Sequence, residues 1–170
     1  MRKFLLAGLS LGSLLASVSA HAATTSTTFN VNATVLANCL ASASALNFGN
    51  YTPASGNVSS NTTISVRCTN KTPFTVALNQ GSTTGGAFAQ RLLTDASGDT
   101  LQYNLYKDPG FTTIFGDGTQ TTQTAAGTGT GMAVASAQSI TVYGSLLDNA
   151  TNQTQPAGSY SDLITVTVSY

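Results

Sequence analysis

Short runs in which apolar and polar residues alternate recur along this chain, and a period of two is typical of β-strands. The first such run covers residues 29–35 and precedes both cysteines. One face of the strand predicted there is apolar, and it carries Phe29, Val31, Ala33 and Val35. Such a face is half of a hydrophobic contact, and we predict that a second copy of the protein supplies the other half.

The rest of the chain continues the pattern, and no stretch of about ten residues beyond the first 22 has the spacing of an amphipathic helix. A hairpin is expected around a turn at 95–99, and the Gly/Thr/Gln-rich segment 116–131 is predicted to be a mobile loop. Seven or more short strands at this spacing predict an all-β sandwich. The further predicted strands are 46–51, 62–68, 74–78, 87–93, 101–105, 112–115, 139–146 and 159–170.

The first 22 residues have the organisation of a secretory signal peptide. Arg2 and Lys3 precede a short apolar run over 4–18, and Ala20-His21-Ala22 offers a small-x-small cleavage site. No later apolar run approaches the roughly 18 residues that a spanning helix needs. We therefore expect cleavage after Ala22 and export of the protein through the inner membrane.

Composition then excludes several classes of function. Removal of 22 of the 170 residues leaves 148, which is one domain by length, and takes away the single histidine. Four Lys and Arg remain against six Asp, which gives a net charge near −2. Such a charge does not provide the basic surface that nucleic-acid binding requires. A hydrolytic triad would lack its base. We expect no enzyme, no cofactor and no small-molecule substrate.

Cys39 and Cys68 are the only cysteines. Export takes them to an oxidising compartment, so we predict a disulfide that contributes about 3.5 kcal/mol through loop-closure entropy. A metal or redox pair is the alternative, but the chain has no C-x-x-C spacing and no histidine to complete a site.

The aspartates and tyrosines leave other possibilities open. Most aspartates stand beside turn-forming residues, with Asp162 as the exception. Calcium binding by Asp95 and Asp99, or by Asp117, is disfavoured because neither segment has the ligand density of a calcium loop. Sugar binding by one or two tyrosines is the main rival to packing, and the absence of Trp weakens it. The tyrosines concerned are Tyr51, Tyr103, Tyr106, Tyr143 and Tyr160.

Taken together, several segments resemble the spore coat U domain proteins, which are pilin subunits of archaic chaperone-usher pili. The ending of the chain and the two-cysteine frame are the most specific features of this resemblance, which covers the mature chain. The matching segments are the alternating strand before Cys39, Leu46-Asn-Phe-Gly-Asn-Tyr51, Ile64-Ser-Val-Arg-Cys68, Tyr103-Asn-Leu-Tyr106, Val142-Tyr-Gly144, and 156–170.

The resemblance implies an incomplete immunoglobulin-like β-sandwich of six strands that lacks its seventh and leaves a groove along the core. In that family a periplasmic chaperone first fills the groove, and at an outer-membrane usher the N-terminal strand of the next subunit replaces it. The implied partners are therefore further copies or sister pilins, a chaperone and an usher. The implied product is a cell-surface fimbria that supports adhesion and biofilm formation.

The resemblance also assigns parts of the chain. Residues 23–36 would be the donor strand, with Phe29, Val31, Ala33 and Val35 entering a neighbour's groove, and 37–170 the pilin domain. Ile164, Val166, Val168 and Tyr170 would face inward along the groove edge that the chaperone holds. The alternative is that 27–36 completes its own sandwich, in a self-complemented coat or carbohydrate-binding protein, since edge strands also alternate.

Overall fold

The structure, a computed structural model, describes residues 21–170. The predicted signal peptide lies largely outside these residues. The chain divides into two units after Thr34, and the second unit is Val35–Tyr170. Residues 21–38 form no helix or strand. Within the described residues, no helix is long and apolar enough to cross a membrane.

Within residues 21–170, eight antiparallel strands form two sheets. In chain order they are β1 (Cys39–Ala43), β2 (Val58–Cys68), β3 (Pro73–Leu78), β4 (Arg91–Thr94), β5 (Thr100–Tyr106), β6 (Ala125–Thr128), β7 (Gln138–Leu146) and β8 (Val166–Ser169). One sheet has five strands in the order β1-β2-β7-β5-β4, and the other has three in the order β6-β3-β8. Two short 3-10 helices, Val134–Ser136 and Asn152–Thr154, lie in the connections.

The core lies between the sheets and is built by alternation. In β2 the side chains of Ile64, Val66 and Cys68 are buried, whereas the residues between them are only half-buried. In β3 the same pattern buries Phe74 and Leu78. These two strands thus turn one apolar face to the opposite sheet, as the period of two requires. The predicted all-β sandwich is confirmed.

The strand count is higher than the six that the family resemblance implies. Three of the eight, β4, β6 and β8, have only four residues each and lie at outer edges of the two sheets.

The predicted disulfide is confirmed. Cys39 in β1 and Cys68 in β2 face each other directly across the antiparallel pair, and their sulfur atoms are bonded. The bridge spans 29 positions along the chain. It fixes β1, an edge strand, to the longest strand of the five-stranded sheet.

Other predictions of strand position were wrong in part. Residues 46–51 form no strand, although Leu46 and Phe48 still pack against the core. The last strand begins at Val166 instead of residue 159, and the hairpin strand begins at Arg91 instead of residue 87. In 112–115 only single bridges form, at Ile114 and Phe115. Alternation marks which face is buried, but strand length depends on whether a neighbour is present to pair with.

The predicted mobile loop at 116–131 was also wrong in part, because it contains β6. This strand pairs with β3 in a register that places Gly127 opposite Phe74. A Cβ on Gly127 would lie 2.4 Å from Cζ of the Phe74 ring, so the absence of a side chain lets the ring lie there. The small residues that suggested flexibility are what this close approach requires.

Candidate functional site

A groove of about 940 Å³ opens into the core of the second unit. Its two flanks are segments 43–51 and 156–166, and neither of them is a full-length strand. Its floor consists of core side chains from the five-stranded sheet, among them Ile64, Tyr103, Leu105, Val142 and Leu146. The sandwich is thus open along one side, where its apolar interior can be reached.

One flank of the groove is the edge formed by β8 and the residues before it. β8 pairs only with β3, so its other side is a free sheet edge. Thr165 makes the last backbone bond to the β3 side, accepting from the Asn79 N–H at 3.1 Å. Because bonding directions alternate along a strand, Ile164 and Val166 turn their N–H and C=O groups away from β3. This edge therefore offers backbone groups for strand addition.

Three of the predicted edge residues lie together here, and the fourth differs. Ile164, Val166 and Val168 are half-buried and alternate with exposed threonines and serine, as predicted. Tyr170 is 60% exposed, so the prediction that it faces inward was wrong. β8 ends at Ser169, so Tyr170 lies just outside the paired strand. The role of this edge in holding a chaperone stays a prediction.

The other flank leaves the sheet early. Ser44 donates its N–H to the Thr63 carbonyl at 3.2 Å, and the chain then turns across the sandwich opening. Leu46 and Phe48 approach the backbone of Gly144 so closely that a Cβ there would lie 2.8 Å from Leu46 Cδ1. Phe48 also packs edge-on against Tyr103, with 5.9 Å between ring centroids. These two side chains partly shield the floor from solvent.

Asp162 connects the groove floor to its edge. Its Oδ2 accepts a 2.6 Å hydrogen bond from the Tyr103 hydroxyl, and its Oδ1 accepts the N–H groups of Ser82 at 2.8 Å and Thr83 at 3.1 Å. Burial of Tyr103, reinforced by this hydrogen bond, raises the pKa of its phenol well above the usual value. The sequence marked Asp162 as the one aspartate that turn chemistry did not explain, and that was the available signal.

A second carboxylate, that of Asp148, binds residues 51–56 at one rim of the groove. Asp148 accepts hydrogen bonds from the Tyr51 hydroxyl at 2.7 Å, the Gly56 N–H at 2.6 Å and the Ala54 N–H at 3.0 Å. The bond from Tyr51 is the main reason that the pKa of Asp148 falls to about 2. Burial and the same bond raise the pKa of Tyr51 to about 12. The pair joins segment 51–56 to the end of β7.

Three of the four remaining aspartates act as turn residues, as predicted. Asp95, Asp108 and Asp117 each accept backbone N–H groups from residues two to five positions later. These bonds are the Asx-type turns that the neighbouring residues suggested. Within residues 21–170 no three or more acidic, Cys or His side chains are grouped so that they could hold a metal ion.

Sequence reasoning missed Arg91, which is fully buried. Its guanidinium donates to the carbonyls of Asn79 and Phe115 and, at 2.6 Å, to Oδ1 of Asn104, and burial lowers its pKa. No carboxylate bonds to it in the described part of the chain; neutral oxygens satisfy it instead. The available signal was position, because Arg91 shares the inward face of β4 with Leu93, which lines the groove.

The predicted donor residues lie in the stretch without secondary structure. Phe29, Val31 and Val35 are 86%, 83% and 82% exposed, and Ala33 is exposed as well. Large apolar side chains are rarely left in water as a group unless a partner covers them. Their entry into a groove stays a prediction.

Comparison with known proteins gives one family and a fold. The family model described as the Spore Coat Protein U domain matches residues 25–167. No curated protein matches the chain. A similar solved structure is titled a chaperone-tip adhesion subunit pre-assembly complex, CsuC-CsuE, from archaic chaperone-usher Csu pili of Acinetobacter baumannii. One chain of it aligns with a TM-score of 0.55 and 24% identity, over 81% of this chain but only 41% of that one. This likeness supports the fold.

Proposed function

Because the chain belongs to the Spore Coat Protein U domain family, we propose that it is a structural subunit of a chaperone-usher pilus. In this proposal residues 23–36 of one subunit enter the groove of the next and complete its sandwich. The subunit is not an enzyme, and its partners are a periplasmic chaperone, an outer-membrane usher and further pilins. The protein is exported to the periplasm and assembled at the cell surface, where the fibre supports adhesion and biofilm formation.

The observation that carries the proposal is the open groove beside the free edge of β8. An open groove costs free energy because half-buried apolar side chains along its edge, such as Ile164 and Val166, and the edge backbone groups remain in contact with water. An added strand supplies both missing contacts at once, since its backbone pairs with the edge and its alternate side chains fill the core.

The stretch 29–35 has the chemistry of such a strand. Its seven residues would span roughly 20 Å when extended. Phe29, Val31 and Val35 would each contribute about 1.5 to 3 kcal/mol on full burial. Ala33 is small enough for a shallow part of the groove. Because each contact is head to tail and does not close on itself, repetition gives an open filament.

A charge placed on the apolar face tests the proposal. Val31→Asp would bring a carboxylate into the groove floor, and burial of an unpaired charge is prohibitive. We expect the exported variant to lose the ladder of multimers that wild type shows on an unheated denaturing gel. The circular dichroism spectrum of the monomer should remain that of a folded β-protein, because Val31 is 83% exposed.

The matched control is Asn32→Asp, which adds the same charge to the opposite face of the strand and should keep the ladder. A Val31→Asp chain that assembles as well as wild type would refute donor-strand exchange. A self-complemented protein would respond differently, because the charge would then destabilise the isolated monomer.

A further inference from the structure

The groove edge just before β8 is held by side chains more than by a strand ladder. Residues 162–165 form no strand, and Thr165 O accepts their only backbone-to-backbone bond. Asn79 Oδ1 accepts the Thr165 N–H at 2.9 Å, and Asp162 Oδ1 accepts the Leu163 N–H at 2.9 Å. Asn79 and Asp162 are therefore the anchors at the two ends of these four residues, and the Ser82 hydroxyl, which itself bonds to Asp162, also accepts the Leu163 N–H at 3.2 Å.

Asp162 is the more connected of the two anchors. Besides two backbone N–H groups of the neighbouring loop, its Oδ1 accepts the hydroxyls of Ser82 at 3.1 Å and Thr83 at 3.2 Å. Its Oδ2 is left for the Tyr103 hydroxyl on the groove floor. A single carboxylate thus forms hydrogen bonds to the loop at Ser82 and Thr83, to the groove edge, and to Tyr103 on the groove floor.

The chain also keeps space for this carboxylate. Gly81 has a φ of +98°, and a Cβ built on it would lie 2.1 Å from Asp162 Oδ2. An L-residue is strained at that φ, and its side chain would displace the carboxylate. The backbone of the neighbouring loop is therefore shaped around Asp162.

We propose that Asp162 is a positioning residue for donor-strand capture, which holds the groove edge and the Tyr103 ring in the arrangement that an incoming strand requires. The inference rests on the proposed function and adds a polar residue of the groove lining to it. A receptor edge that is already ordered spares the incoming strand the entropy cost of ordering it. Without the carboxylate, residues 162–165 lose one anchor, and the Tyr103 hydroxyl on the floor loses its partner.

A purely structural role is the competing explanation, and Asp108 provides the matched control. Its carboxylate likewise accepts several loop donors, from Gly110, Thr112 and Thr113, but it does not line the groove. Replacing either aspartate by Asn removes a charge that organises a loop. Only the change at Asp162 should alter capture of a strand.

The test measures capture of a fluorescein-labelled synthetic peptide of residues 27–36 by fluorescence anisotropy. The receptor is the full exported chain carrying Val31→Asp, so that its own N-terminal strand cannot compete. We expect Asp162→Asn to weaken capture about tenfold, the order expected for loss of a hydrogen bond to a charged group. Tyr103→Phe should weaken it about fivefold, and Asp108→Asn should leave it within about twofold. Urea unfolding of each variant is measured in parallel.

The outcomes separate the two proposals. If the receptor without further change does not capture the peptide, donor-strand exchange fails and the positioning role fails with it. If that receptor captures the peptide and Asp162→Asn does so equally well, only the positioning role is overturned. Equal losses in Asp162→Asn and Asp108→Asn would also overturn it. If Asp162→Asn does not fold, Tyr103→Phe decides, because it keeps the ring and removes one hydroxyl.

Discussion

The two sheets of this sandwich differ in how extensively their strands pair. In the five-stranded sheet β2 and β7 pair over nine positions, and a disulfide fixes β1 to β2. In the three-stranded sheet β3 pairs with β6 and with β8 over only four positions each. The longer ladders fix the fold, while the short edge strand β8 borders the groove. We infer that stability resides mainly in the first sheet and strand exchange in the second.

The largest expected effect comes from removing the covalent link within the first sheet. The double variant Cys39→Ser and Cys68→Ser should lose about 3.5 kcal/mol of unfolding free energy, because the unfolded chain is no longer constrained. Urea denaturation without reductant measures this loss. Peptide capture by the fraction that remains folded should be unchanged if the sheets have separate roles.

Wild type in reductant is the control for this prediction and should match the double variant. A loss below about 1 kcal/mol would mean that the bridge adds little constraint beyond the ladder itself. A large fall in peptide capture at full folding would contradict the division of roles between the two sheets.

A smaller effect is expected in the second sheet, at the contact between β6 and β3. Gly127→Ala would place a methyl group 2.4 Å from the Phe74 ring, and such overpacking costs about 1 to 3 kcal/mol. Gly158→Ala is the matched control, because its nearest contacts would be ordinary ones at 3.6 Å. Neither glycine has a left-handed backbone. Urea denaturation should show a loss for the first variant only, and equal stability of the two would contradict the close approach.

The parts of the fold that were predictable are those in which local pattern and burial coincide. β2, β3 and β7 were recognised because each alternates over at least five residues and turns buried apolar side chains to the core. The turn at 95–99 and the disulfide followed from residue type and cellular compartment. The family membership inferred from scattered segments is confirmed by the match over residues 25–167.

The parts that were not predictable depend on partners distant in sequence. β6 is made of Ala, Gly and Thr, and it forms a strand through its pairing with β3, in which the Phe74 ring lies against Gly127. Arg91 is buried because three carbonyl oxygens converge on it from residues 12 to 24 positions away. The groove edge before β8 forms no strand, because within residues 21–170 its backbone pairs with a neighbour only at Thr165, through Asn79. Periodicity in a sequence contains no information about such contacts.

The smallest effect concerns the groove rim, where Asp148 and Tyr51 interact. The folded-state pKa of Asp148 is about 2, below its ordinary value of 3.8, so the unfolded chain takes up the proton first as the pH falls. The stability from this carboxylate is therefore complete above about pH 4 and is lost between pH 4 and 2. Asp148→Asn should flatten the dependence of the urea midpoint on pH in that window. An unchanged slope would contradict the role of the hydrogen bonds from Tyr51 and the rim backbone.

The same pair predicts a loss of stability at alkaline pH. Here the cause is release of a proton from a phenol as the pH rises, whereas at acid pH it is uptake of a proton by a carboxylate. The pKa of Tyr51 is raised to about 12 from 10.0, so the phenol of the unfolded chain ionises first as the pH rises. Stability from the neutral phenol is complete below pH 10 and is lost between pH 10 and 12. Urea denaturation between pH 10 and 12 measures this loss. Tyr51→Phe should remove this part of the dependence of stability on pH. Asp148→Asn should only reduce it, because burial is the larger cause of the shift in the pKa of Tyr51. If Asp148→Asn removed as much of the slope as Tyr51→Phe, the carboxylate rather than burial would control the phenol, and the rim would be more open than the structure shows.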